Sequence, residues 1–247
     1  MPPEHLLVTG ASSDLGLATI RRVLATPDPP VVLAHGHASM DRIEALRDEL
    51  GADHVVPLRA NLEDSVEVVA LADKILAEFG APAGFVHLPG LKLRYERFVK
   101  WDAAHFRRDM ALQVESAAAL LGRLLPKMAT LPRAKVVFVL SSVTRGIPPK
   151  LLSMYTVVKH AELGLMKALA AEYVTSKMTI NAVSPGMVDT RFLSQLPEVA
   201  VQLAAKSHPQ GKNAGVDDIV GAILFLLGTD SDYVTGAEIP VTGGAAF

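Results

Sequence analysis

The 247-residue chain contains no cysteine, which excludes a disulfide framework, a thiolate zinc site, an iron–sulfur cluster and a cysteine nucleophile. Aromatic residues make up only 5% of it, so any core must be built from aliphatic side chains. An excess of one charge sign is also missing. The 24 Lys and Arg residues stand against 26 Asp and Glu, a net charge of −2, and the basic residues are scattered, giving no electrostatic footprint for nucleic acid. Long hydrophobic runs are lacking too: Val136–Leu140 and Leu163–Ala171 fall far short of the ~20 residues that cross a bilayer, so no membrane partner is expected. The start, Met1-Pro2-Pro3-Glu4-His5, has neither the basic residues nor the apolar stretch of a secretion signal, and a cytoplasmic location is expected.

What the chain does have is a hydrophobic content of 50%, arranged as an alternation. Short runs rich in Val and Leu (Leu6–Val8, Val31–Leu33, His54–Leu58, Gly84–Leu88, Lys135–Leu140, Thr179–Val183) are separated by stretches of helical period. The latter run over Leu15–Leu24, Met40–Leu50, Val66–Phe79, Ala103–Met128 and Tyr155–Thr175. Such alternation signals βαβ units, and strands without polar alternation fit a sheet buried on both faces. The expected fold is α/β: one doubly wound Rossmann-type domain over residues 1–247, a parallel sheet with helices on both faces. At ~100–200 residues per domain, and with α/β folds filling ~250 as one unit, the length agrees. The irregular connection from about 186 to 215, carrying Pro197 and Pro209, follows a strand and reads as a lid at the ligand-binding edge.

Three features carry chemistry. The first strand runs into Thr9-Gly10-Ala11-Ser12-Ser13-Asp14-Leu15-Gly16, a glycine turn that brings backbone N–H groups and a helix N-terminus toward a pyrophosphate. Tyr155 and Lys159 lie four apart on one face of a predicted helix. There an ammonium beside a phenol favours the phenolate. Ser141-Ser142 close a buried strand, where α/β enzymes gather their catalytic groups.

The glycine turn, Ser142 thirteen residues before Tyr155, Tyr155-x-x-x-Lys159, Asn181-x-x-x-Pro185-Gly186 and the ending Gly236-x-x-Ile239-x-Val241-x-Gly243-Gly244 together resemble the short-chain dehydrogenase/reductase family. The resemblance spans essentially the whole chain. It implies hydride transfer between a nicotinamide dinucleotide and a carbonyl or alcohol, with catalytic Ser142, Tyr155, Lys159 and Gln113. Tyr155 would protonate the carbonyl oxygen. Lys159 would lower the tyrosine's pKa and hold the nicotinamide ribose, and Ser142 would hydrogen-bond the same oxygen. The implied cofactor contacts are Gly10, Ser12, Ser13, Leu15, Gly16, His35, Asn61, Leu62, Leu88, Pro89 and Gly90, with Tyr155, Lys159, Pro185, Gly186, Val188 and Thr190.

Three positions depart from the family pattern. Asp14 replaces the middle glycine of the turn, either repelling a pyrophosphate or capping the next helix. His87-Leu88-Pro89-Gly90 stands for Asn-Asn-Ala-Gly, and Pro89 removes a backbone donor. Gln113 takes the place of the helix asparagine, either holding a proton-relaying water or lying on an exposed helix face. Asn61 reads as an adenine contact or as a turn residue capping the following helix.

At the end of the second strand, Ala34-His35-Gly36-His37-Ala38-Ser39, with Arg42 beyond, offers no carboxylate against a 2′-phosphate, and NADP(H) is favoured over NAD(H). His35, His37, Ser39 or Arg42 would donate to that phosphate, the alternative being a pair of exposed loop histidines. His35 and His37 lack a third ligand at plausible spacing, so no metal is expected.

Within the family the resemblance is greatest to 3-oxoacyl-[acyl-carrier-protein] reductases. This implies a small-molecule or carrier-bound 3-oxoacyl thioester as substrate. A pteridine-type reductase, and a catalytically weak relative that binds a nucleotide or a partner, are the alternatives. Arg94, Arg97 and Lys100 form either a carrier contact or a solvated charged face. Alanine and leucine on several faces of the helices around 103–128 and 155–175 imply a homo-oligomer, dimer or tetramer.

Overall fold

The computed structural model describes residues 4–191 and 198–246. The chain alternates strand and helix: β1 (His5–Thr9), α1 (Asp14–Leu24), β2 (Val31–Gly36), α2 (Met40–Leu50), β3 (Val55–Arg59), α3 (Ser65–Glu78) and β4 (Gly84–His87). Then come α4 (Ala103–Met110), a π-helical turn over Ala111–Glu115, α5 (Ser116–Met128), β5 (Ala134–Val139) and α6 (Ser153–Glu172). β6 (Met178–Pro185), α7 (Glu198–Ser207), α8 (Val216–Leu227) and β7 (Glu238–Val241) complete it.

The strands form one seven-stranded sheet in the order β3-β2-β1-β4-β5-β6-β7, with every pairing parallel. The order reverses between β1 and β4, which places a crevice at their carboxyl ends. Each face carries its own core. Leu17, Ile20, Ile43, Ile219 and Ile223 from α1, α2 and α8 pack on one side, and Leu71, Ile75, Leu120, Leu124 and Met166 from α3, α5 and α6 on the other. The two-sided burial expected from the Val- and Leu-rich strands is therefore present. β1 after its first residue, and all of β4, β5 and β6, are buried.

Polar residues set the helix starts at the functional edge. Ser13 caps α1, its hydroxyl accepting from the Gly16 N–H at 3.0 Å. Asp64 and Asp102 cap α3 and α4 in the same way. The single helix expected over 103–128 is continuous but contains the π-turn, which carries Gln113 and Glu115. Part of the expected lid, residues 192–197, lies outside the described residues. Its apolar segment, Val199 to Ala205, falls in α7. Among the described residues no helix is long and apolar enough to cross a membrane, and no group of His, Asp and Glu is placed to hold a metal.

Candidate active site

A cleft of about 790 Å³ opens along the carboxyl edge of the sheet, within the range of small-molecule and cofactor sites. It is lined by Gly10, Ser12, Ser13, Leu15, Asn61, Leu62, Leu88, Pro89 and Gly90 at the β1–β4 end. Gln113, Ser141, Ser142, Tyr155, Lys159, Pro185, Gly186, Val188 and Thr190 line it farther along. Of the catalytic and cofactor contacts that the resemblance implies, Gly16 is the one that lies behind the lining, where it serves packing. A Cβ there would stand 2.7 Å from the Ala11 carbonyl oxygen.

The glycine turn fits a pyrophosphate. Gly10 takes φ +71°, and a Cβ on it would come within 3.0 Å of the Leu88 and Pro89 backbone, so only glycine lets β1 and the β4 loop meet. With Gly16 bonded to the Ser13 hydroxyl and Leu17 to the Ser13 carbonyl, the N–H groups of Asp14 and Leu15 have no protein acceptor among the described residues. Orphan donors at a helix start form an anion site.

Asp14 does not cap α1. Its carboxylate accepts from the Arg42 guanidinium at 2.7 Å and from the Arg191 N–H at 2.7 Å, and Arg42 also donates to the Ser12 carbonyl. Burial works against the carboxylate, but Arg191 and Arg42 hold it below its ordinary range. The repulsion expected of an acid in this turn is thus answered by two cations.

His35 corrects the sequence reading. It is only 3% exposed, and both ring nitrogens are engaged: Nε2 lies 3.0 Å from the Ala60 carbonyl and Nδ1 accepts from the Gly10 N–H at 3.4 Å. Burial lowers its pKa to about 4. A neutral ring with no spare donor ties β2 to the glycine turn and does not bond a phosphate. His37, by contrast, is exposed beside Gly36, Ala38 and Ser39 on the cleft wall. Asn61 forms a local turn, its side-chain oxygen accepting from the Glu63 N–H at 3.0 Å, while Asp64 does the capping. Glu63, also on the rim, is held by Arg108 at 2.6 Å.

At the catalytic end, Tyr155 is half-buried and Lys159 buried on α6, with the ammonium 6.0 Å from the phenol ring. Lys159 Nζ donates to the Val139 carbonyl at 3.2 Å and to Glu162 at 2.7 Å. Burial raises the phenol's pKa, against which Lys159 and the nearby Ser141 hydroxyl pull downward. Ser141 and Ser142 both line the cleft with Tyr155. Ser142, chosen by its spacing, begins a 3₁₀ turn capped by Ser141 and lines the same cleft.

Gln113 is 1% exposed and so does not lie on a solvated helix face. Its backbone carbonyl accepts from His87 Nε2 at 2.9 Å, its amide donates to Asp109, and its Oε1 has no partner. His87, buried under the cleft floor, has a fixed tautomer: Nε2–H faces a carbonyl, so Nδ1 accepts from the Thr9 hydroxyl at 2.9 Å. Sequence reasoning missed the Asp14–Arg42 pair and Glu162. Of these only Glu162 left a trace, as an acid among apolar positions one turn beyond Lys159.

A family profile described as Enoyl-(Acyl carrier protein) reductase matches residues 10–246. The chain is 30% identical over 240 residues to cis-4-hydroxycyclohexanecarboxylate dehydrogenase of Sinomonas cyclohexanicum, covering 96% of this chain and 94% of that one. It is 27% identical over 241 residues to the 3-oxoacyl-[acyl-carrier-protein] reductase FabG of Thermotoga maritima, covering 96% of each. The solved structure of levodione reductase superposes with a TM-score of 0.86 at 26% identity, over 98% of this chain and 96% of that one. With a glycine turn, a Tyr155–Lys159 pair and a facing serine along one cleft, the chain belongs to the short-chain dehydrogenase/reductase family of oxidoreductases.

Proposed function

We propose that the protein is an NADP(H)-dependent ketoreductase acting on a 3-oxoacyl thioester-type carbonyl. The observation that carries this reading is the convergence of Tyr155, Lys159 and Ser142 on the cleft that begins at the glycine turn. When bound, the reduced nicotinamide supplies a hydride to the carbonyl carbon. Tyr155 hands its proton to the carbonyl oxygen, and the serine hydroxyl donates to that oxygen as charge develops. Lys159 steadies the phenolate left behind and, with Tyr155, would hold the nicotinamide ribose.

The choice of NADP(H) is supported by charge at the far end. The Arg42 guanidinium stands at the glycine turn, where it meets Asp14, and His37 and Ser39 are exposed on the cleft wall after β2. No carboxylate closes β2. The choice of substrate is supported by the remaining lining, in which Leu91, Leu93, Leu152 and Met187 accompany Tyr95. Such walls suit an acyl chain and give a pteridine ring few polar partners. Arg94 is held by Asp102 at 2.6 Å, which supports a solvated face over a carrier contact. Exposed Val157, Val174 and Phe225 on or beside α6 and α8 support a homo-oligomer, read in solution by light scattering.

The experiment is a titration of purified protein with NADPH and NADH, followed by NADPH oxidation against β-ketoacyl thioesters, β-keto esters and a broad carbonyl panel, with Tyr155→Phe as control. NADPH binding and a thioester-dependent rate lost in Tyr155→Phe are expected. Binding of neither cofactor, with no turnover of any carbonyl, would overturn the reading in favour of a catalytically weak partner-binding protein.

A further inference from the structure

Glu162 is 0% exposed and lies one turn after Lys159 on α6, beneath the cleft. One carboxylate oxygen, Oε2, accepts from Lys159 Nζ at 2.7 Å. The other, Oε1, has no hydrogen-bond partner and stands 4.0 Å from His87 Nε2. His87 cannot satisfy it, because its Nε2–H is already given to the Gln113 carbonyl at 2.9 Å. A buried carboxylate half-satisfied in this way is costly, so packing alone gives no reason for an acid at this position.

The groups facing Glu162 are Lys159 and Tyr155 from its own helix, neutral His87 from β4 and Asp109 from α4. Lys159 is the single cation among them. Two acids therefore look at one ammonium, and the phenol sees that ammonium with its charge offset.

We propose that Glu162 is a positioning residue for the Tyr155–Lys159 pair: it pins the Lys159 ammonium against the Val139 carbonyl and offsets its charge, so that Tyr155 holds its proton and the site favours carbonyl reduction over alcohol oxidation. The role deepens the ketoreductase reading and rests on it. The electrostatics agree in direction, since Glu162 and Asp109 both push the phenol's pKa upward while Lys159 pulls it down. Burial raises the Glu162 carboxyl itself to about 7, which places the loss of the offset close to neutral pH.

The test reads Tyr155 directly, without turnover. Phenolate absorbance is titrated against pH in the cofactor-free wild type and in Glu162→Gln, each with its own Tyr155→Phe background subtracted. Removing the carboxylate charge should move the Tyr155 midpoint down by roughly one pH unit, and Glu162→Asp should restore it. In the active enzyme the pH profile of alcohol oxidation should shift the same way while the substrate KM stays put. A circular-dichroism melt confirms folding, and Glu162→Met provides a second neutral side chain if the Gln variant does not fold. An unchanged midpoint in a folded neutral variant overturns the proposal even if the enzyme reduces carbonyls. A shifted midpoint in a protein that turns over no carbonyl sustains the coupling and removes the ketoreductase reading instead.

Discussion

The carboxylate of Asp14 and the guanidinium of Arg42 meet 2.7 Å apart across 28 positions of sequence, and the other carboxylate oxygen takes the Arg191 N–H from the far side of the cleft. An acid standing in the glycine turn thereby becomes a clamp on two cations. If Arg42 presents its remaining N–H groups to a 2′-phosphate, Arg42→Ala should raise the NADPH KM about tenfold, near 1.4 kcal/mol, and leave the NADH KM within about twofold. Steady-state kinetics with both cofactors decide the matter. Equal losses for the two would mean that Arg42 serves only to hold the turn.

The alternation of strand and helix and a ligand-binding edge on a parallel sheet were legible in the sequence because both follow from local patterns. Val- and Leu-rich runs too short for helices can only be buried strands, and the glycine turn sits where the first of them ends. The clamp was not legible, because its members are 28 and 177 positions apart. His35 was misread for a related reason. His-Gly-His after a strand looks like a loop, yet β2 continues through Gly36 and carries the ring into the sheet's interior. The choice of Ser142 over Ser141 rests on spacing, since a strand buried on both faces gives no alternation from which to read which way a side chain points.

That choice can be measured. The Ser141 hydroxyl caps the following turn through the Val143 N–H at 3.4 Å, which leaves Ser142 as the serine free to serve the substrate. Ser142→Ala should lower kcat by about 10²-fold, the usual scale for losing one donor to a developing oxyanion, with little change in the NADPH KM. Ser141→Ala should cost less than about tenfold. A reversed ranking would move the role to Ser141.

Gly16 offers a test of packing apart from chemistry. A methyl group on it would lie 2.7 Å from the Ala11 carbonyl oxygen and 2.8 Å from its Cα. Both are backbone atoms that no rotamer change can move. Gly16→Ala should therefore push α1 away from the turn and destabilise the fold by about 1–3 kcal/mol, despite alanine's better helix propensity. Urea denaturation compares it with Gly122→Ala, whose added Cβ meets nothing within 4 Å. A neutral or stabilising Gly16→Ala would show that the turn yields easily.

The buried histidines make the fold sensitive to acid in a defined direction. Burial drives the His87 pKa down to about 3 and that of His35 to about 4, while an unfolded chain protonates both near 6.5. Below that pH the unfolded state takes up protons that the native state refuses, so stability is full above about 6.5 and drains away as pH falls toward 3. For His87 alone the loss is on the order of 4 kcal/mol. Glu162 acts in the opposite sense: its carboxyl is raised to about 7, so its contribution is present below the ordinary carboxylate range and is lost as pH rises through neutrality. Stability should consequently peak in mildly acidic to neutral solution. His87→Asn, which keeps a side-chain amide for the Gln113 carbonyl, should lose the steep acid limb, whereas Glu162→Gln should steepen the rise of stability between about pH 4.5 and 7 by removing the opposing loss. Urea unfolding of the three proteins across this range separates the limbs, and an acid slope unchanged in His87→Asn would assign the acid sensitivity to other groups.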